Sequence, residues 1–449
     1  MPIKVRKSFT DAIVAKEKYE EAEDSRMAKA KIEVDEIENW FLPEVIEKEA
    51  PTFCKLYNLG ERYIPTSGHF LGLVATILAT MGLDEPRQSN MGIGAVAGEG
   101  KTLILSQFRK LPFVNFFTRI TYAKYLLMKC GWFLSEPGKE LPVGVRRIPK
   151  PLPGSPVIDK SGVKDQISYF FDIITEGEGI FTMGDVPKLL QLWNQLTEQG
   201  TYEGGDSFSG YYRIGVEPQN PVKHGLIIAA TIEDFQKHII RQIGWATRMV
   251  LATYSCSDKE NRWISDGIMK DYISSKPDIS YQVKVLMKNI PITDVGEERL
   301  HYSPKKVKLT DEVANALYII RDTLMTMRDE KTMKRAGADA NRLVKGFALL
   351  NGREYTTLMD LIILKSLLTM SKKIYRSDML GSIGTRLHFQ TSLCMDLFRN
   401  YEQTVKFITG RFKTWEGKPL YSEDDVKQSI HDIGSAEDGK WAKSYGGIS

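Results

Sequence analysis

The sequence contains few cysteines, and they are far apart. Four occur among 449 residues. They are Cys54, Cys130, Cys256 and Cys394. No two of them have the Cys-x-x-Cys spacing and none has a histidine close by, so the pattern argues against a structural zinc site and against a disulfide framework. Scattered thiols of this kind predict a reducing compartment.

Long apolar runs are also missing. The most apolar early run, residues 70–83, has about 14 residues and is interrupted by Gly72, whereas a helix that spans a bilayer needs about 20. The first residues are basic but continue into polar sequence instead of an apolar stretch, so we expect no signal peptide. These two features predict a cytoplasmic protein with no membrane partner.

Charge of one sign is not in large excess. The formal net charge is +4, from 61 basic and 57 acidic side chains. This value is too small to predict a nucleic-acid partner by itself, although it is compatible with a local basic face. With 42% hydrophobic and 26% charged residues, the composition is that of an ordinary globular protein. The length predicts two or three domains.

One segment has a residue order that calls for a ligand. It reads Ala95-Val96-Ala97-Gly98-Glu99-Gly100-Lys101-Thr102. This fits the phosphate-binding loop pattern, with Ala95 in place of the first glycine. Gly98 and Gly100 allow positive φ, which turns backbone N–H groups inward around a phosphate. Lys101 would contact the β- and γ-phosphates and Thr102 would hold Mg²⁺, at the start of a helix whose positive end faces the anion.

The same pattern has a simpler interpretation. A glycine-rich turn before a buried helix would have a similar composition and would bind nothing. Further polar residues at strand ends would favour the phosphate-binding interpretation.

A predicted strand near residue 180 ends in an acidic residue. Residues 180–185 form an apolar run that closes with Asp185, and helical sequence follows from Pro187. A carboxylate at the carboxyl end of a buried strand can orient Mg²⁺ or an attacking water. An aspartate in this position is equally typical of a helix N-cap. The preceding segment, residues 165–174, is predicted to be helical.

A second predicted strand ends in a hydroxyl group. Residues 224–231 are apolar and close with Thr231, and an amphipathic helix follows. Further along, Arg248 lies between apolar neighbours and therefore needs a partner. A structural ion pair would satisfy this arginine, and so would the γ-phosphate bound to an adjacent subunit.

Two segments have residues suited to nucleic acid. Residues 200–215 are rich in glycine and tyrosine, and Tyr211, Tyr212 and Arg213 could stack on bases in a central channel. A structural β-hairpin is the alternative. Near the end of the chain, residues 422–430 and 436–445 are predicted to form two short helices across a turn at Gly434, the size of a helix-turn-helix. The second of these helices carries Lys440 and Lys443, which suit phosphate contact.

Taken together, the segments from residue 66 to residue 370 resemble the AAA+ ATPases. Among these, the similarity is to helicase-like ATPases of viruses and plasmids and, more distantly, to the minichromosome-maintenance helicases. The resemblance implies a Walker A loop at residues 95–102, a Walker B strand ending at Asp185, a sensor-1 residue at Thr231, an arginine finger acting in trans at Arg248 and a sensor-2 arginine at Arg342.

The sequence departs from this family at the Walker B strand. The family usually closes that strand with Asp-Glu, whereas Gly184 and Asp185 stand there in this chain. Either Asp185 holds Mg²⁺ and a glutamate comes from elsewhere, or Asp185 replaces the glutamate and a metal ligand is missing. Glu176 and Glu178 flank the predicted strand on its other side and are poor substitutes.

These features predict an α/β fold: a P-loop AAA+ core with a helical lid and helical parts at both ends. The predicted domains are residues 1–65, 66–300, 301–378 and 379–449. The expected function is an ATP- and Mg²⁺-dependent DNA helicase or translocase that forms a homo-oligomeric ring, most simply a hexamer. One alternative is a nucleotide-binding scaffold for packaging or partition with weak or no ATPase activity. Another is a helical DNA-binding protein whose glycine loop is accidental.

Overall fold

The structure is a computed structural model. It describes residues 3–95, 98, 100–118, 120–122, 125, 131–134, 169–177, 186–208, 212–216, 223–234, 248–296, 299–328, 333–369 and 385–436. Within these residues the fold is α/β, as predicted, with one parallel sheet and many helices. None of the described helices is both long enough and apolar enough to cross a bilayer.

A five-stranded sheet forms the centre of the fold. Its strands are β1 (Asn90–Ala95), β2 (Val114–Phe117), β4 (Tyr169–Ile174), β7 (Lys223–Thr231) and β8 (Met249–Tyr254). They lie in the order β2-β4-β7-β1-β8, and every neighbouring pair is parallel. In a parallel sheet all carboxyl ends lie at one edge, so loops that follow these strands meet there.

The sequences of the inner strands explain their position. Residues 226–230 of β7 and 249–254 of β8 are buried apolar runs with one buried threonine, Thr253. Strands covered on both faces are typically this apolar, because neither face meets water. The strand β1 is buried throughout its length between them.

Two smaller sheets accompany the central one. The strands β3 (Gly131–Leu134), β6 (Tyr212–Val216) and β5 (Tyr202–Phe208) form an antiparallel sheet in that order. A separate antiparallel hairpin consists of β9 (Ile292–Gly296) and β10 (Arg299–Tyr302). Residues 200–215 therefore contain a β-hairpin, which was one of the two predicted alternatives.

Four helices precede the central sheet. They are α1 (Ile3–Asp35), α2 (Glu44–Glu49), α3 (Pro51–Tyr63) and α4 (Gly68–Ala79). The helix α3 begins with Pro51, which suits a first helical position because its missing N–H would have no partner there. The helix α4 is buried on all sides, and its Gly72 lets the ring of Phe53 approach to a distance that a Cβ atom would not allow.

The remaining described helices follow the strands. They are α5 (Lys101–Ser106), α6 (Val186–Gln199), α7 (Ile232–Asp234), α8 (Asp258–Met269), α9 (Ser280–Leu286), α10 (Asp311–Ala316), α11 (Tyr318–Arg328), α12 (Met333–Leu350), α13 (Leu358–Thr369), α14 (Arg386–Phe398), α15 (Tyr401–Arg411) and α16 (Glu423–Ala436). Apolar residues three and four positions apart predict helices over residues 309–328 and 339–350. The structure has helices there, although the first is divided into α10 and α11 at Leu317 and the second begins earlier, at Met333. The sequence also predicts a break at residues 414–419, and one is present between α15 and α16.

Two secondary-structure predictions are wrong. Residues 169–174 form strand β4 instead of a helix, because their aromatic and β-branched side chains lie in the parallel sheet. The one charged residue in this strand, Asp172, is buried and bonds to Asn115, Tyr125 and His224.

The second error concerns the carboxyl-terminal helices. The helix α16 continues through Gly434 to Ala436, so the predicted turn at Gly434 does not exist. The second predicted helix, residues 436–445, lies almost entirely outside the described residues. The turn that the helix-turn-helix prediction requires at Gly434 is therefore not present.

A buried arginine joins the carboxyl-terminal helices to the core. Arg386, the first residue of α14, contacts Glu61 of α3 at 2.6 Å and Glu260 of α8 at 3.3 Å. All three side chains are almost fully buried. Burial raises the pKa of Glu61, and the positive charge of Arg386 opposes this rise. The guanidinium is thus balanced by carboxylates from two separate parts of the chain.

Candidate functional site

The glycine loop begins where the central strand β1 ends. Gly98 and Gly100 have φ values of 90° and 81°, in the left-handed region. A Cβ atom built on either residue would meet no described atom within 4 Å, so the backbone conformation itself, and not crowding, favours glycine here. The helix α5 then starts at Lys101. The described part of this segment thus contains a strand, two left-handed glycines and a helix, in that order.

The side chains that follow the loop are accessible. Lys101 is half-buried and Thr102 is exposed. Val96, Ala97 and Glu99, the other members of the predicted phosphate loop, lie outside the described residues.

The strand order places this loop at a switch point of the sheet. The connection from β1 leads to β2, on one side, whereas the connection from β7 crosses β1 and leads to β8, on the other. Right-handed crossovers that leave in opposite directions lie on opposite faces of a sheet. A crevice therefore opens between the carboxyl ends of β1 and β7, which is the usual ligand position in open α/β sheets.

Thr231 lies beside the start of the glycine loop. It pairs directly with Ala95 in the register of β7 and β1, and neighbouring strands are about 4.8 Å apart. Its hydroxyl donates to Oδ2 of Asp234 at 2.6 Å and accepts from the Asp234 backbone N–H at 3.2 Å. The structure therefore brings Thr231 to the loop and adds a carboxylate, Asp234, that the sequence pattern did not identify.

The other neighbour of Ala95 is Tyr254, the last residue of β8. Tyr254 is buried, and burial raises its pKa well above the ordinary value. Its hydroxyl lies 3.0 Å from Oγ1 of Thr66, a residue with a φ of 74°. A threonine in this conformation is unusual and is held by its buried surroundings. Packed, buried groups therefore lie on this side of β1.

A second carboxylate follows the strand β4. Thr175 is buried and Glu176 is half-buried. Their backbone N–H groups donate to the carbonyl oxygens of Phe117 and Thr118 at 3.0 and 3.2 Å. Glu176 therefore lies at the same edge of the sheet as the glycine loop, with β7 between them. The sequence analysis related Glu176 only to the predicted strand at residues 180–185, which lies outside the described residues, and did not relate it to β4.

The wrong prediction for residues 169–174 explains why Glu176 was missed. If those residues were helical, the glutamate would follow a helix and would have no reason to lie near a phosphate. The available signal was the aromatic run Tyr169-Phe170-Phe171, followed by Ile173 and Ile174, which favours a strand. The predicted Walker B residue, Asp185, lies outside the described residues and stays a prediction.

Arg248 lies at the opposite edge of the sheet. It directly precedes β8, so it is next to the amino end of that strand. Its Nε lies 2.7 Å from Oε1 of Glu198, and its Nη2 donates to Oε2 at 3.0 Å. Arg335 contacts the same carboxylate at 3.1 Å. Of the two predicted partners for Arg248, the structure shows the ion pair. A role on a neighbouring subunit stays a prediction.

Arg342 also lies at the amino edge. It bonds to Asp339, which forms a 2.6 Å ion pair with Arg328. The Nε of Arg328 in turn donates to the carbonyl oxygen of Met249, the first residue of β8. The β1 strand spans about 17 Å at a rise of about 3.3 Å per residue, so this cluster and the glycine loop are at opposite ends of the sheet. The structure does not bring Arg342 to the loop.

The nucleic-acid candidates are only partly described. Tyr212 and Arg213 begin β6, where they pair with Phe208 and Ser207 of β5. Tyr211, Lys440 and Lys443 lie outside the described residues. Contact with DNA stays a prediction for all five predicted residues.

The donor set around the crevice consists of oxygen atoms. Thr102, Asp234 and Glu176 supply a hydroxyl and two carboxylates at one edge of the sheet, and oxygen ligands are those that Mg²⁺ prefers. The described residues contain no group of three or more His, Cys, Asp or Glu side chains that could hold a metal without further ligands.

Known sequences add no assignment to this site. Comparison with protein-family models finds no match, and a search of curated proteins finds none either.

Proposed function

We propose that this protein binds ATP with Mg²⁺ in the crevice between β1 and β7 and hydrolyses it. One observation carries the proposal: two left-handed glycines directly follow the central strand, at the switch point of a parallel sheet. Backbone N–H groups in such a turn form a concave anion site. The AAA+ resemblance supports the same assignment, with α10–α13 as the predicted helical lid.

Each side chain of the proposed site has its own role in ATP binding and hydrolysis. Lys101 would neutralise charge on the β- and γ-phosphates, and Thr102 with a carboxylate would hold the metal. Mg²⁺ would neutralise charge that develops on the phosphate oxygens. Glu176 would orient the attacking water, and Thr231 would fix the position of its neighbours through its bonds to Asp234. Asp185 is the competing candidate for the role of Glu176.

Two matched variants separate these candidates. We expect Glu176→Gln to keep ATP binding and to lose turnover by about 100-fold or more, as expected when a group that acts on the transition state is removed. Asp185→Asn should then have a smaller effect. Glu312→Gln, on the exposed surface of α10, is the control for the loss of one carboxylate.

Binding of ATP and its hydrolysis should be measured separately for each variant. If Glu176→Gln hydrolyses ATP normally and Asp185→Asn does not, the catalytic carboxylate is Asp185. If wild-type protein neither binds nor hydrolyses ATP, the proposal fails.

We further propose that hydrolysis drives a DNA helicase or translocase assembled as a homo-oligomeric ring. The β5–β6 hairpin, with Tyr212 and Arg213 beside its turn, supports this assignment as a candidate DNA-contacting element. DNA should then accelerate ATP hydrolysis, and DNA affinity should fall steeply as salt rises. A Tyr212→Ala variant should lose the acceleration and keep the basal rate, because stacking on bases would be lost.

One observation favours a second function, a nucleotide-binding scaffold with little turnover. The AAA+ resemblance implies an Asp-Glu pair at the end of the Walker B strand. Gly184-Asp185 closes the predicted strand and Thr175-Glu176 follows β4, so neither segment contains both acidic residues. Such a scaffold would form oligomers that depend on ATP and would release almost no phosphate. Measurement of particle size with and without ATP, alongside phosphate release, distinguishes the two functions.

A further inference from the structure

A cavity of about 710 Å³ lies at the end of the sheet opposite the glycine loop. Its walls come from α1, α3, α9, β9 and the turn before β2. That turn, residues 111–113, leads into the amino end of β2, which places the cavity at the amino edge. The site proposed for ATP uses none of the residues that line it.

The interior of the cavity is apolar. Its buried lining includes Val34, Leu111, Phe113, Leu286, Met287 and Ile290. Sites for small molecules typically have volumes of about 300–1,000 Å³ and apolar walls with a few polar groups. The size and lining therefore match the apolar body of a small molecule.

The charges around the cavity are mostly positive. Lys31, Lys55, Lys284 and Lys288 line it, with Asp35 as the one carboxylate. Lys55 is already engaged: its Nζ donates to the Val34 carbonyl at 3.0 Å and lies 3.9 Å from Asp35.

The other three lysines are less engaged, and of these Lys284 interacts electrostatically with Glu23 of α1. Within the described part of the chain, Lys31, Lys284 and Lys288 form no ion pair within 4 Å, and Lys31 and Lys288 are exposed. An anion at the mouth of the cavity would therefore meet ammonium groups from two helical segments, α1 and the stretch from α9 to residue 288.

We propose that this cavity binds a small amphipathic anion, with its apolar chain against the buried lining and its carboxylate among Lys31, Lys284 and Lys288. The apolar walls favour a ligand with an apolar chain, and the excess of lysine favours a ligand with a negative charge. Because α1 forms one wall of the cavity, a bound ligand would also stabilise the packing of α1 against the core.

The first test compares two probes that share a chain and differ in charge. We expect calorimetric titration of the full-length protein to show binding of dodecanoate at least tenfold tighter than binding of dodecyltrimethylammonium. A Lys31→Glu/Lys288→Glu variant should weaken dodecanoate binding by about tenfold or more, since two attractive contacts become repulsive. A Lys29→Glu/Lys48→Glu variant makes the same change of net charge at exposed lysines outside the lining, and it should bind normally.

A second test depends on shape and location. Thr293→Trp, at an exposed position of the lining, should narrow the cavity and weaken dodecanoate binding. Bound dodecanoate should also slow hydrogen exchange at residues 27–35 of α1. Lys101→Ala should leave dodecanoate binding unchanged, which separates this proposal from the one about ATP.

Three outcomes would overturn the proposal. The first is absence of dodecanoate binding by the wild-type protein. The second is equal affinity for the two probes, because the lysines would then select nothing. The third is normal dodecanoate binding by both the Lys31→Glu/Lys288→Glu variant and the Thr293→Trp variant, because the ligand would then lie elsewhere.

Discussion

The two edges of the central sheet differ in how their polar groups are satisfied. At the amino edge, charged side chains neutralise one another: Arg248 pairs with Glu198, and Asp339 lies between Arg328 and Arg342. At the carboxyl edge, no atom of the described residues lies within 4 Å of where a Cβ atom would be on the two left-handed glycines. Closed charge clusters stabilise a fold, whereas open backbone at a strand end can receive a ligand. An arginine between apolar residues therefore does not identify a ligand site until the edge of the sheet at which it lies is known.

The largest effect is expected from the lysine of the glycine loop. Lys101→Ala should reduce ATP turnover by about 100-fold or more, because a charge that stabilises the transition state is lost. Lys345→Ala, at the amino edge, removes a lysine that already pairs with Glu85, and it should leave turnover unchanged. Steady-state phosphate release measures both. Equal effects of the two substitutions would remove the distinction between the edges.

The next effect concerns the buried charges of the amino edge. Asp339→Asn should lower the free energy of unfolding by about 3–5 kcal/mol, because fully buried Arg328 loses its carboxylate partner. Urea unfolding measures this change. As a control, Glu423→Gln breaks an exposed pair with Lys427 and should cost less than about 1 kcal/mol. A cost for Asp339→Asn as small as the control would mean that the cluster is not structural.

A buried histidine near the carboxyl edge predicts a dependence on pH. His69 stacks on Phe389 at 5.9 Å and lies near Tyr254, and neither ring nitrogen has a hydrogen-bond partner in the described residues. Burial, and to a smaller extent the charge of Arg386, lowers its pKa from 6.5 to about 3.

The direction in which stability changes with pH follows from proton binding. Below pH 6.5 the imidazole of His69 binds a proton in the unfolded chain but not in the folded chain, so stability falls as pH falls towards 3. Relative to the wild type, His69→Phe should gain about 2 kcal/mol when the pH is lowered from about 7.5 to about 5. Urea unfolding at both pH values measures this gain. A difference between the two proteins that stays constant with pH would contradict the assignment.

The smallest effect is expected at the predicted arginine finger. Arg248→Ala should cost about 1 kcal/mol of stability, through loss of its partly exposed pair with Glu198, and should leave turnover unchanged. Arg335→Ala, which removes the other partner of Glu198, is the matched control. Loss of turnover in Arg248→Ala alone, restored by mixing with Lys101→Ala subunits, would instead support an arginine that reaches a neighbouring subunit.

The sequence predicted the elements whose signals are local. The strand β1, the turn at Gly98 and Gly100, the strand that ends at Thr231 and the helices between residues 309 and 350 all follow from glycine positions or apolar spacing. The strand β4 was missed because Asp172 interrupts its apolar run. The partners that make this aspartate tolerable, Asn115 and His224, come from distant segments.

The composition of the site required the strand order as well. That Thr231 pairs with Ala95 depends on long-range pairing, which no local pattern shows. The edge at which Arg248 lies was easier to predict from the sequence, because an arginine directly before a parallel strand must lie near the amino end of that strand. Glu176 could have been found by the same argument, applied to the carboxyl end of β4.

The most direct test of the central claim locates the triphosphate. Hydrogen exchange of the Glu176→Gln variant should be compared with and without ATP and Mg²⁺. The account predicts slower exchange at residues 98–106 and 231–234, on both sides of the crevice, and no change at residues 333–345 of the amino edge. Slower exchange at residues 333–345 alone, or no change at residues 98–106 under conditions where ATP is bound, would contradict it.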